Sequence, residues 1–569
     1  MRELFIRLKA YPSVTVELAA ASLFANLLAL ASPLFVIQVL NRYVAHGVDS
    51  TLFTLTAGVL IAIAFEVAFR QIRLTIANAL SQPFDRSNAE AAYDSLTQAQ
   101  ADVMARMSAG QKRQAAGAVD AVQQAYSAPN MAAYLDLPFS LVFLLALALL
   151  SPPLAGVAVI FVILVIVLGW LSLGAMKSPT EALQGQMSTR QGLLDSAIMD
   201  VDTVRAFNGA GFLTKRWRQT QDALAEIRAT IATRQGRSQN FTQGIQALMS
   251  TSIIATGGML VVSGNLDVGL LIGANILAAR TLAPIIRVTQ TASVMATANT
   301  ARTTLENLIK LPRESKQGSA LGNYKGGMEF KDVAFVYAGQ PTPLFESLNL
   351  RLEPGALFVV SGTNGAGKTT LSRLLAGLLI PSRGQILVDG VDLAQVAPEW
   401  WRRQIIYLPQ EPSFFSGTVR ENILAFNPDL SEADLNSVIR DAGLEKFFAA
   451  SREGFEMALR GGGKNLPVGI RRRLALARAM AVDGRLVILD EPLEGLDSEG
   501  AQQIGQLMST LSKKGCTIIA FSHDPNIIKG AKYILDLNSK PVPRVLQRNE
   551  QNGTPSPTTS AQPAGQESA

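Results

Sequence analysis

Thiol and imidazole groups are scarce in this chain, with one cysteine and two histidines among 569 residues. A single cysteine, Cys516, excludes a disulfide framework and any site built on several thiolates. Beside the apolar run Thr517 to Phe521 it reads as a small buried hydrophobe. A basic cluster interleaved with aromatics is also missing, so the formal charge of +6 does not point to nucleic acid. No small-residue cleavage site follows the first apolar run, which therefore reads as an anchor and not as a removable leader. No repeat of solenoid type is present. Charge itself is sparse, 17% of residues against 48% hydrophobic, which excludes an ordinary soluble protein and suggests a membrane part joined to a globular part.

The uncharged stretches define the membrane part. About 20 apolar residues cross a bilayer, and Leu18 to Asn41 carries no charge. Six spans are expected, at about 18–41, 51–69, 135–151, 154–175, 241–264 and 268–290. The second contains Glu66, which with Arg70 is spaced i,i+4 on one helix face and reads as a structural ion pair. Leu137 to Met176 holds no charge, and Pro152-Pro153 near its middle predicts two helices joined by a tight turn. The sixth span is interrupted by Arg280 and Arg287. An arginine at that depth faces protein or water, so Arg280 either lines a path through the membrane or sits near its cytoplasmic exit. Lys and Arg are scattered through two long helix-patterned segments, 71–135 and 177–237, and are missing from the turns near Pro152 and Asn265. The positive-inside rule then puts both termini and both long segments in the cytoplasm.

Ser361-Gly362-Thr363-Asn364-Gly365-Ala366-Gly367-Lys368-Thr369-Thr370 fits G-x-x-x-x-G-K-[ST]. Apolar Leu357 to Val360 precede it and a leucine-rich segment follows, the strand-to-helix setting of a P-loop. Its glycines let successive backbone N–H groups and a helix N-terminus face an anion. Lys368 would meet the β- and γ-phosphates and Thr369 would hold Mg²⁺. Further on, Leu486 to Leu489 reads as a buried strand delivering Asp490 and Glu491 to its C-terminal end, where ligands of open α/β sheets collect. Asp490 suits the surroundings of Mg²⁺, and Glu491 could orient or deprotonate the attacking water. Another apolar strand, Thr517 to Phe521, leads to Ser522 and His523, within reach of a γ-phosphate.

In order, Tyr337, the P-loop, Gln410, Leu466 to Arg473, Asp490-Glu491, Asp497 and His523 resemble the nucleotide-binding domain of ABC transporters. That resemblance implies that Tyr337 stacks on adenine, that Gln410 senses the γ-phosphate and Mg²⁺, that Asp497 lies in a loop crossing a dimer interface, and that two such domains enclose two ATP molecules. The expected architecture is an all-α, six-helix transmembrane exporter domain (1–296), a linker (297–327), an α/β P-loop nucleotide-binding domain (328–546) and a disordered tail (547–569) poor in large apolar residues. In exporters of this type the tips of the long extensions dock on the nucleotide-binding domains. Here those tips are expected near Ser108–Ala116 and Asp202–Phe212.

Ser32-Pro33-Leu34-Phe35-Val36-Ile37-Gln38-Val39, Asp136-Leu137-Pro138-Phe139 and Ala278-Ala279-Arg280-Thr281-Leu282-Ala283-Pro284 resemble, more narrowly, the membrane domain of type I secretion ATPases, the haemolysin- and protease-exporting group. With a first span beginning near residue 18, no room is expected for the N-terminal peptidase-like domain that many of them carry. The resemblance implies a bacterial inner-membrane protein that works with a second half-transporter, a periplasmic adaptor, an outer-membrane channel and an unfolded secreted protein as cargo.

One motif departs from the family. Leu466-Pro467-Val468-Gly469-Ile470 stands where the signature Leu-Ser-Gly-Gly-Gln is expected, a loop that reaches in trans to the partner's γ-phosphate. Pro467 offers neither hydroxyl nor N–H, and Val468 adds a side chain where close backbone approach is expected. One hydrogen bond lost to a charged group costs about 1.5–3 kcal/mol, roughly 10- to 150-fold in an equilibrium constant. Gly469 and the helix dipole remain as anion-binding elements. Gly461 also replaces a glutamate by which such exporters sense the membrane domain. A homodimer, the arrangement of the type I secretion group, would carry the altered signature at both ATP sites. A heterodimer with an intact relative would leave one site complete. Export of a peptide, lipid or drug, and a regulator or channel that binds ATP with little hydrolysis, are the alternative functions.

Overall fold

The computed structural model describes residues 2–44, 47, 49–315, 317–548 and 555–557. The chain divides into two compact units, 1–99 with 103–312, and 100–102 with 313–569.

The first unit is helical. Among the described residues, six helical segments are long and apolar enough to cross a membrane: Pro12–Val44, Asp49–Gln98, Ala128–Leu150, Pro152–Ile198, Ala210–Val262 and Val268–Gln290. At 1.5 Å per residue, the 50-residue helix Asp49–Gln98 is about 75 Å long, well over twice the hydrocarbon thickness. It and the helices Pro152–Met199 and Ala210–Val262 therefore combine a span with a long polar extension. The third and fourth spans meet at Ser151, with Pro152 opening the second helix, as the diproline predicts. The last span lies tightly against the first. A Cβ on Gly273 would sit 2.3 Å from Ile37 Cγ1, and one on Gly269 2.1 Å from Asn41 Oδ1, so only glycine permits this approach.

Two expectations for this unit need correction. The first extension reverses at the short helix Ala101–Arg106, before residues 108–116. Ser108 and Gln111 form a reciprocal capping box that starts the return helix Ala109–Ala125, so the expected tip is itself helical. The second extension reverses around Val201–Ala206, overlapping the expected interval Asp202–Phe212. The segment expected as a linker begins as the helix Ala292–Ile309. Its Ala298, Ala301, Leu305 and Leu308 recur at helical spacing and are buried with Leu80, Val119 and Val122.

Two buried or partly buried carboxylates in this unit gather arginines. Arg70 Nε lies 2.9 Å from Glu66 Oε1, and Arg280 Nη1 joins the same carboxylate at 3.9 Å, so Arg280 faces a protein acid. A second centre surrounds Asp136, which receives Arg73 Nη1 at 2.5 Å and Asn26 Nδ2 at 2.9 Å, with Arg287 Nη1 at 3.8 Å.

The second unit is α/β. Its central sheet runs Ile405–Leu408, Leu486–Asp490, Thr517–Phe521, Leu357–Ser361 and Tyr533–Asp536, each parallel to its neighbour. These strands are nearly continuous apolar runs because helices or a second sheet cover both faces. Arg544–Arg548 adds an antiparallel edge. That strand enters the segment expected as a disordered tail, and Pro555–Pro557 pairs with it, at an edge where proline is tolerated. Positions 549–554 and 558–569 of the expected tail lie outside the described residues. A second, antiparallel sheet holds Met328–Phe335, Phe345–Leu352, Arg383–Val388 and Val391–Asp392.

Candidate nucleotide site

In the central sheet Phe521 is level with Asp490 on one side and with Val360 on the other, and Leu408 with Leu489. The loops leaving these strands therefore emerge along one edge. They carry the P-loop, Gln410, Glu491 and His523, which lie far apart in sequence.

The P-loop joins Leu357–Ser361 to the helix Lys368–Leu375. Gly367 has φ +113°, and a Cβ there would lie 2.9 Å from Leu344 Cδ2. Both backbone angle and space demand glycine. Lys368 is buried; its Nζ donates to the Gly362 carbonyl at 2.7 Å and lies 3.1 Å from Glu491 Oε1. Thr369 Oγ1 donates to Gln410 Oε1 at 3.3 Å. Tyr337 and Thr370 share a hydroxyl hydrogen bond of 2.8 Å, so the aromatic ring is tied to the first turn of the P-loop helix. Ala366 is buried and its N–H donates to Thr363 O at 3.1 Å.

Asp490 is 1% exposed, and its Oδ2 accepts from Ser372 Oγ at 3.0 Å. Burial pushes its carboxyl above the usual carboxylate range, opposed by the hydroxyls of Ser372 and Thr369. Its buried Oδ1 has no hydrogen-bond partner. A free carboxylate oxygen, the Thr369 hydroxyl and the Gln410 amide oxygen form an all-oxygen donor set, which fits a hard divalent cation. Glu491 is also buried and has φ +47°, rare for a residue with a Cβ. Its N–H donates to Phe521 O at 2.8 Å, and His523 Nδ1 lies 3.3 Å from its carboxylate. Lys368, Thr369, Gln410, Asp490, Glu491 and His523 thus form one constellation.

The altered signature occupies a different helix. Pro467 is the cap residue of Val468–Met480 and supplies no side-chain capping bond. Leu466 is buried, whereas Val468 is 50% exposed. Gly469 lies beside Gly495 and Leu496, next to Asp497. The Asp497 side chain caps the helix Ser498–Lys513 by accepting from the Gly500 N–H at 2.8 Å, a structural task that accounts for an aspartate there.

Several contributors escaped sequence reasoning. Asn538 Oδ1 accepts from the Thr363 N–H and hydroxyl at 2.8 and 2.9 Å, and Lys540 Nζ donates to Ala366 O at 2.9 Å, together bracing the P-loop from the segment that follows the neighbouring strand Tyr533–Asp536. Burial lowers the Lys540 ammonium pKa. Ser372 orients Asp490, and Arg472 with Glu494 lies behind Glu491. The basic run after the signature marked a region, but no local spacing distinguished Arg472 from its neighbours.

This geometry, a P-loop facing a carboxylate pair at the edge of a parallel sheet, defines a nucleotide-binding ATPase joined to a six-span membrane unit. The family model described as ABC transporter transmembrane region matches residues 16–285, and the one described as ABC transporter matches 345–494. The chain belongs to the ABC transporters, as an exporter half-transporter that couples ATP hydrolysis to export. It is 26% identical over 528 residues to a toxin RTX-I translocation ATP-binding protein of Actinobacillus pleuropneumoniae, covering 92% of this chain and 74% of that protein. It is 27% identical over 531 residues, with the same coverage, to the leukotoxin translocation ATP-binding protein LktB of Mannheimia haemolytica and to the exotoxin translocation ATP-binding protein PaxB of Pasteurella aerogenes. Among solved structures, a bacterial Atm1-family ABC exporter with ATP bound shares the fold, with a TM-score of 0.78 at 19% identity over 92% of this chain and 93% of that one.

Proposed function

We propose that this chain is the inner-membrane ATPase of a type I secretion system, exporting an unfolded protein together with a periplasmic adaptor and an outer-membrane channel. The observation that carries this reading is similarity over 92% of the chain to toxin-translocation ATP-binding proteins. Both termini and the nucleotide-binding domain face the cytoplasm in this reading, following the distribution of Lys and Arg. The active form pairs two copies through their nucleotide-binding domains, so that each ATP meets Lys368 and Glu491 of one copy and the signature segment of the other.

Within each site the P-loop N–H groups and Lys368 hold the phosphates, and Tyr337 stacks on the base. Thr369, Gln410 and Asp490 would hold Mg²⁺, which would supply neutralisation of phosphate charge. Glu491 orients the attacking water and accepts its proton, while His523 contacts the γ-phosphate. Nucleotide binding draws Lys368 onto the phosphates, freeing the Glu491 carboxylate from its 3.1 Å contact with that ammonium.

The test is ATP hydrolysis by the purified chain alone in lipid, with Glu491→Gln as the blank. Turnover well above the blank supports a self-paired ATPase and eliminates the reading as a regulator or channel with little hydrolysis. Turnover restored only by a relative with an intact signature would replace the homodimer by a heterodimer. Co-purification of an adaptor and an outer-membrane channel supports secretion. Their absence, together with ATPase stimulation by a lipid or drug, would overturn it.

A further inference from the structure

Arg472 lies in the second turn of the signature helix, and its side chain is only 6% exposed. Its Nη1 donates to the backbone carbonyl of Glu491 at 2.5 Å. Its Nη2 donates to the carbonyl of Gln410 at 2.9 Å and to Glu494 Oε2 at 2.9 Å. Gln410 Nε2 closes the group with a 3.4 Å contact to the same Glu494 oxygen. One planar guanidinium therefore joins three separate segments: the loop bearing Gln410, the turn bearing Glu491 and the helix that begins at the signature. A lysine, with a single point of charge, cannot span these acceptors.

The contact to Glu491 matters because of its backbone. At φ +47° a residue with a Cβ is strained, and such a conformation persists only where its surroundings hold it. Here the Glu491 N–H is held by Phe521 O at 2.8 Å, while its carbonyl accepts from Arg472 and, at 3.2 Å, from the Glu494 N–H. The backbone angles at 491 aim the carboxylate at Lys368 and His523, so a group that anchors this carbonyl also aims the side chain. The same helix has a second tie to the Gln410 loop, through Arg478 Nη1 to Ser413 O at 2.8 Å.

We propose that Arg472, with Glu494 as its counter-ion, is a positioning residue for hydrolysis, holding Glu491 and Gln410 in register with the signature helix of the same domain. The inference rests on the proposed role of Glu491. In the proposed dimer, the helix whose start would face the partner's nucleotide is then also the one that positions the glutamate of its own site.

The experiment compares Arg472→Gln, Arg472→Lys, Glu494→Gln and Glu491→Gln in the full chain in lipid, measuring kcat, KM for ATP, and Tm. For R472Q the expected result is a kcat lower by roughly 10- to 100-fold, with KM and Tm near those of the unaltered chain. R472K, reaching one acceptor, recovers part of that loss, and E494Q, whose amide oxygen still accepts, loses less than R472Q. An unchanged kcat in R472Q overturns the proposal, as does a loss of kcat matched by equal losses of ATP binding and Tm, which marks a merely structural ion pair. If R472Q is not recovered folded, R472K and E494Q decide, and an unaltered kcat in both overturns it. Turnover surviving in E491Q overturns the glutamate assignment and this inference with it, whereas a dead E491Q beside a fully active R472Q overturns this inference alone.

Discussion

Asp136 and Arg73 give the most direct test of what holds the membrane unit together. Their side chains are 3% and 4% exposed, and the Arg73 Nη1 to Asp136 Oδ1 distance is 2.5 Å. Asn26 donates to the same oxygen, so the carboxylate is shared by the first three spans, while Arg287 of the sixth lies 3.8 Å away at its more exposed edge. Removing the acid in Asp136→Ala strands a buried guanidinium, a change that costs about 3–5 kcal/mol in proteins. At the shallow slope of large domains, about 2 °C per kcal/mol, Tm should fall by roughly 6–10 °C. The partner change Arg73→Met strands the acid instead and should cost less, because Asn26 and Arg287 still face it. The decisive variant is Arg73→Met/Asp136→Leu, which removes both charges and is expected to recover most of the loss, since a buried pair replaced by apolar groups is often neutral. Thermal unfolding of the purified protein in detergent measures all three. A double variant whose Tm loss equals the sum of the single losses would refute the reasoning, because it would mean that the two groups do not interact.

Three further outcomes are expected. Gly367→Ala should abolish nucleotide binding, measured with a fluorescent ATP analogue, because φ +113° and a 2.9 Å approach to Leu344 leave no place for a methyl group; retained binding would count against the P-loop geometry. Pro467→Ser, which supplies a hydroxyl to the signature, should raise ATP turnover by roughly 10-fold or more if that hydrogen bond limits closure, and an unchanged rate would show that Gly469 and the helix start suffice. Tyr324 has a buried hydroxyl without a hydrogen-bond partner, and burial, then the Asp389 carboxylate, raises its pKa. A folded value above the unfolded one of about 10 means that its contribution is fully present below pH 10 and is lost as pH rises beyond it. Tyr324→Phe should therefore keep Tm at neutral pH and soften its alkaline decline, followed by thermal unfolding across alkaline pH with tryptophan fluorescence, to which Trp401, packed edge-on at 5.2 Å from Tyr324, contributes.

Much of the nucleotide site was legible because its parts are local. A glycine-rich turn between strand and helix, and apolar runs ending in Asp490-Glu491 or in Ser522-His523, carry their chemistry in adjacent residues. A parallel sheet brings strand ends to one edge whichever loops connect them. The first tip and the linker differ from the expectation for a related reason. The capping box at Ser108 and the apolar spacing of 298–308 are helix signals within segments that look polar overall.

Composition and local pattern determined six candidate membrane spans and a P-loop domain with a carboxylate pair, and the order of its motifs carried the resemblance to ABC transporters, from which the signature departs at Pro467 and Val468. Periodicity, charge-free length and motif spacing are properties of the linear chain and need no knowledge of what lies across the fold. Only the tertiary structure decided the pairings: Asp136 with Arg73 rather than Arg287 as its hydrogen-bonded partner, Arg280 toward Glu66, Asn538 and Lys540 under the P-loop, and Arg472 behind Glu491. A charged side chain read from sequence has many possible counter-ions. Burial makes an unpaired charge costly, and packing then selects the one partner within reach.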